Sequence, residues 1–127
     1  MLYQRATNKS LEQIDAGLRA AAAKHQFGVI AVHDLGETLR NKGVDFRKPC
    51  IVYEVCNPQQ AKKVLESDGA FSTVLPCRIS VYESAGAHTI ATVLPTALVD
   101  LFHNPELEPV ARDVETTLKE MIEETAG

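Results

Sequence analysis

The stretch CRISVYESAGAHTIATVLP, residues 77–95, rules out more architectures than any other part of this chain. Two β-rich runs, CRISVYES and HTIATVLP, flank Gly86, which reads as a hairpin. Strands joined by so short a connection run antiparallel, so a purely parallel sheet covered by crossover helices does not fit. Alternation puts Cys77, Ile79 and Val81 on one face of the first run and Arg78, Ser80 and Tyr82 on the other.

The remainder mixes strand and helix signals. LYQRAT (residues 2–7) reads as a weak strand. SLEQIDAGLRAAAAKHQ reads as a helix, with Ser10 as N-cap and Gln13 closing a capping box. Its Leu11, Ile14, Leu18, Ala21 and Ala22 recur at the spacing of a buried stripe. FGVIAVHDL (27–35) reads as a buried strand, and GETLRNKG as at most two helical turns closed by Gly43.

CIVYEVC (50–56) is the strongest strand signal, and alternation sets Ile51, Tyr53 and Val55 against Cys50, Val52, Glu54 and Cys56. Asn57 and Pro58 then suit the N-cap and first position of a helix, PQQAKKVLESDG, expected to bury Ala61, Val64 and Leu65. AFSTVLP reads as a short helical turn broken at Pro76. TALVDLF and ELEPVARDVETTLKEMIEE read as helices, the second with Val110, Val114, Leu118, Met121 and Ile122 on one stripe. Together these elements predict an α+β fold, a largely antiparallel or mixed β-sheet packed against helices.

A length of 127 residues suits a single domain, residues 1–127, with enough chain to bury a core. That core is aliphatic, because the chain has no tryptophan and only seven Phe and Tyr. A net charge of −4 with scattered Lys and Arg argues against nucleic acid as a partner. No stretch reaches membrane-spanning length and the first residues lack a signal pattern, so no membrane partner is expected. A cytoplasmic location follows, in which thiols stay reduced and three cysteines form no disulfide framework.

Phosphate-binding glycine loops, nucleophile elbows, helical His-Glu-His spacing and C-x-x-C pairs are all missing. What remains is a pair of cysteines. Cys56 precedes a helix N-terminus, where the dipole and free N–H groups favour a thiolate, and Cys77 opens a strand. If the two strands are antiparallel neighbours, the thiols meet at one rim of the sheet. Such a rim suits Zn or another soft metal, completed by a His or a carboxylate. The competing reading is that both are small buried hydrophobes, and a third is a redox pair. Cys50 reads as packing.

Glu54 shares its strand face with Cys56, so it is either solvated or held in a cleft that would raise its pKa. His33 ends its strand as a rim residue and cannot pair with Asp34, since adjacent strand residues point to opposite faces. His25, His88 and His103 show no ligand spacing. The Asn57 junction offers backbone N–H groups of the kind that bind anions. The candidate ligand-binding set is therefore His33, Glu54, Cys56, Asn57 and Cys77, with Cys56 and Cys77 as the metal candidates. The functional readings are a module binding a small ligand or metal at the two-cysteine rim, a thiol-dependent redox or enzymatic protein using Cys56, and a structural or partner-binding dimer module.

The motif pair EVCNPQQA (54–61) and LPCRISVYE (75–83) resembles the paired signature of domain-of-unknown-function family number 302. In that family a strand ending in vCNP runs into a helix, and an LPCR motif opens a second alternating strand. FGVIAVHDLGETLRNKG is also similar, although Gly-Phe is more usual there than Phe27-Gly28. The similarity spans about residues 8–95, and the C-terminal helices, about 96–125, are less diagnostic. The resemblance implies a small α+β domain that forms a homodimer. It implies no reaction and transfers no catalytic residue, so whether the chain is an enzyme stays open.

Overall fold

In the computed structural model, which describes all 127 residues, β1 (Leu2–Thr7) leads into α1 (Leu11–Lys24) and β2 (Gly28–Asp34). Then come α2 (Leu35–Asn41), β3 (Cys50–Cys56), α3 (Pro58–Ser67) and a 3₁₀ turn, Gly69–Thr73. The hairpin β4 (Cys77–Ser84) and β5 (Ala87–Val93) precedes α4 (Pro95–Leu101), a second 3₁₀ turn and α5 (Glu108–Ala126). The five strands form one sheet in the order β1-β5-β4-β3-β2, and every neighbouring pair is antiparallel. The mixed alternative is thereby resolved in favour of a wholly antiparallel sheet.

Local chemistry accounts for the element boundaries. Ser10 accepts the N–H of Gln13 while the Gln13 side chain accepts the N–H of Ser10, completing the capping box. Asp34 ends β2 and caps α2 through the N–H of Glu37. Between β4 and β5, Ala85 and Gly86 take φ of 52° and 79°. Positive φ at both turn residues produces the primed turn whose twist matches the strands it joins.

Helices cover one face of the sheet. Tyr53 and Val55 on β3, Ile79 and Val81 on β4 and Ile90 on β5 pack there against Ile14 and Leu18 of α1 and Leu118, Met121 and Ile122 of α5. Gly17 lets α1 and α5 approach closely, since a Cβ at this position would sit 3.1 Å from Cγ2 of Thr125. Tyr53 keeps its hydroxyl satisfied by donating to Asp15 at 2.8 Å. The opposite face, with Cys50, Val52 and Glu54 on β3 and Arg78, Ser80 and Tyr82 on β4, is half-buried or exposed. On that face Gln4 donates to the Tyr82 hydroxyl across β5 at 2.7 Å.

A second, smaller apolar cluster joins Phe71, Val99, Leu107 and Ala111. Phe71 and Phe102 stack within it at a ring separation of 4.4 Å. The expected burial of the α3 stripe is not found: α3 has no buried residue, and Leu65 is 41% exposed. The reason is that α3 packs on the first 3₁₀ turn and on α5 rather than on the sheet, and its apolar side faces a void.

Candidate functional site

That void is a cavity of about 310 Å³ at the end of the sheet where β3 stops and β4 starts. Its sheet wall holds Val55, Cys56 and Cys77, and α3 supplies Gln60, Ala61, Val64 and Leu65. The opposite wall comes from Phe71, from Leu98 and Val99 of α4, and from Val110, Ala111 and Val114 of α5. Val55 belongs to the main core, and Phe71, Val99 and Ala111 to the smaller cluster, so the cavity is the gap the two leave between them. No charged residue lines it, and Asn57, Gln60 and Ser72 are its only side chains bearing an amide or hydroxyl. Its size falls at the lower end of small-molecule sites, and its apolar lining with few polar groups is their usual chemistry.

Three of the five residues singled out from the sequence meet here. Val55 lies opposite Cys77 in the β3–β4 register, so Cys56 and Cys77 stand one position apart on neighbouring strands. Asn57 follows directly and also lines the cavity. His33 and Glu54 do not join them. Glu54 is not among the residues that line the cavity, and the β2–β3 register puts His33 opposite Val52, towards the other end of the strand from Cys56. There His33 and Glu54 hydrogen-bond each other at 2.7 Å.

Burial pushes the Cys77 thiol up to about 11, with a further push from a charge on Cys56. Burial also raises the Cys56 thiol above its ordinary value. This push is opposite in direction to the thiolate preference expected of a helix N-terminus, and its cause is loss of water. The backbone donors of that terminus are also engaged, since Asn57 Oδ1 accepts the N–H groups of Gln59 and Gln60 at 3.1 and 3.2 Å. Nor does a histidine or carboxylate stand among the lining residues to complete a metal site with the two thiols.

Beyond one wall lies a polar cleft of about 280 Å³, lined by Lys24, His25, Gln26, Asp113 and Thr117 together with Phe27, Asn57, Gln60 and Val114. Near it the end of α1 meets the last turns of α5. His25 is 2.7 Å from Glu124 and 3.7 Å from Glu120. The hydrogen bond with His25 holds the Glu124 carboxyl below its ordinary value. These three side chains could hold a cation by distance, yet Glu124 is already paired with Lys24 and His25, and Glu120 with His25. Residue spacing around His25 hides this grouping; the i,i+4 repeat of Glu120 and Glu124 on α5 is the one sequence trace of it.

Comparison with known proteins agrees with this architecture. Residues 3–125 match the family described as Domain of unknown function DUF302. The chain belongs to the DUF302 family. A crystal structure of an uncharacterized conserved DUF302 protein from Bacillus stearothermophilus superposes with a TM-score of 0.93 at 31% sequence identity. The match covers 98% of this chain and 97% of that one, so the cavity-forming elements are part of a DUF302 fold over its full length. No curated protein matches the chain. No helix of this DUF302 protein is long and apolar enough to cross a membrane.

Proposed function

We propose that this protein is a binding module that takes a small, largely apolar molecule in the cavity beside Cys56 and Cys77. The observation that carries this reading is a cavity of about 310 Å³ whose lining contains no charged residue. A core without function would gain stability by closing such a gap, since apolar surface left facing water forgoes about 25 cal/mol per Å². The raised thiols of Cys56 and Cys77 support a role as cavity wall over one as attacking thiolate or metal ligand. All three cysteines are free.

The test is saturable binding of N-phenylnaphthylamine, an uncharged dye that fluoresces in apolar surroundings. Binding at one site per chain that is lost in Ala111→Phe, while far-UV circular dichroism is retained, supports the reading. Absence of dye binding, or stoichiometric zinc in protein purified without added metal, overturns it.

A second copy of the chain is the protein partner that the open sheet face fits. Val52, Tyr82 and the paired Leu2 and Val93 give that face an apolar component, while Glu54 and Arg78 lie opposite each other in register. Both charge signs on one patch make it self-complementary about a two-fold axis. Light scattering that gives a dimer mass, falling to a monomer in Val52→Lys, supports the pairing; a monomer mass for the unaltered chain refutes it.

A further inference from the structure

The lining of the apolar cavity is graded from wet to dry. Of its residues only Ile30, Leu65 and Ser72 are exposed, Ile30 by 59% and Leu65 by 41%. These three mark where the cavity meets water. Ile30 is the extra residue of a bulge, where the β2–β3 register slips between Val29 and Ala31. A bulge bends its strand and re-aims a side chain, a device common beside binding sites. At the other extreme, Phe71, Val99, Leu107 and Ala111 are at most 6% exposed and belong to the smaller apolar cluster. They form the dry end of the cavity.

Charge then fixes which way round a ligand lies. No charged residue lines the cavity, so a carboxylate, phosphate or ammonium carried inside would lose its water and meet no counter-charge. Such a head group stays at the rim marked by Ile30 and Leu65, and only the apolar part of the molecule goes in. At a water's volume of about 30 Å³ for each non-hydrogen atom, a cavity of about 310 Å³ holds about ten carbons.

We propose that the ligand is a single-chain amphiphile, an alkyl or acyl chain of up to about ten carbons, bound tail first with its head group left in water. Ala111, at the dry end, limits the length of chain that fits, and Leu65, at the rim, meets chains of every length alike. This rests on the small-molecule reading above and names the ligand class and its direction of entry.

The experiment titrates the linear 1-alkanols from butanol to dodecanol, and octanoate at neutral pH, into the intact protein by calorimetry. Affinity is expected to rise about fourfold for each added CH₂ and to level off near about ten carbons, where further methylenes stay in water. Octanoate is expected to bind within about the fourfold that one CH₂ supplies of octanol, because both heads are solvated. In Ala111→Leu, the added carbons at the dry end are expected to move the levelling point to about seven carbons, while Lys62→Ala, on an exposed residue of α3, leaves it in place. Ala61→Leu, on the α3 wall, is a second narrowed variant, and circular dichroism confirms that each variant folds. Affinity that keeps rising to dodecanol, a levelling point unmoved in both narrowed variants, or octanoate differing from octanol by more than that factor overturns tail-first binding. Each of these leaves the cavity as a small-molecule site if N-phenylnaphthylamine still binds. If neither the alkanols nor the dye bind, both readings fall.

Discussion

Replacing Ala61 by leucine tests whether the space between α3 and the sheet is real. Ala61 is half-buried on α3 and its side chain lines the cavity. Three added carbons, buried at about 0.8 kcal/mol each, set an upper limit near about 2.4 kcal/mol of stabilisation. Ordering the leucine side chain removes about 0.5–1 kcal/mol. The cavity is open on one side, which leaves part of the new surface in water. The net expectation is a gain of about 1 kcal/mol, or a rise of about 3–5 °C in Tm for a chain of this length. The chain lacks tryptophan, so urea unfolding followed by far-UV circular dichroism is the appropriate assay. The midpoint should rise with an unchanged m-value. In a packed interior the same substitution would instead cost about 1–3 kcal/mol through overpacking. A midpoint that falls by that amount would refute the cavity, and with it the ligand-binding reading. The sign of the change thus decides the matter.

Three further outcomes follow from particular contacts. Burial pushes the Cys77 thiol up to about 11 in the fold, against about 8.5 in the unfolded chain, so its contribution is complete below about pH 8.5 and lost as pH rises to about 11. Urea midpoints across that window should fall less steeply in Cys77→Ala than in the parent, by about 3 kcal/mol in total, and parallel profiles would contradict the assigned burial. Tyr53→Phe removes the 2.8 Å bond to Asp15, whose carboxyl is pushed up by burial but held low by bonds from Arg19 and Tyr53. It should cost about 1–2 kcal/mol in chemical denaturation, and a neutral effect would show that the bond has no net value. Gly17→Leu places a side chain where even a Cβ meets Thr125 at 3.1 Å, and should lower stability by about 1–3 kcal/mol despite leucine's better helix propensity; a rise in Tm would mean that α1 and α5 pack less tightly than described.

Much of the scaffold is written in short-range patterns. The alternation of CIVYEVC and CRISVYES corresponds residue for residue to β3 and β4, and the Ser10–Gln13 box and the Asn57-Pro58 junction start α1 and α3 where their chemistry requires. These signals are legible because a cap, a turn or a strand face depends on atoms within a few positions of one another. The motif pair around Cys56 and Cys77 brings both residues to one end of the sheet, where they line one cavity.

What that end of the sheet is could not be read the same way. Ala61, Val64 and Leu65 have the spacing of a core stripe, yet whether an apolar stripe meets a wall or a gap depends on how α4 and α5, far along the chain, pack opposite it. Strand order and register sent His33 to Glu54 on the open face and away from Cys56, although both residues belong to strands the sequence marks plainly. The upward push on both thiols comes from the same three-dimensional surroundings, since desolvation is summed over every neighbour. Local pattern by itself therefore determined the elements and the ends they share, whereas only tertiary packing decided that the shared end borders an uncharged space, because such a space is lined by segments far apart in the chain and belongs to none of them.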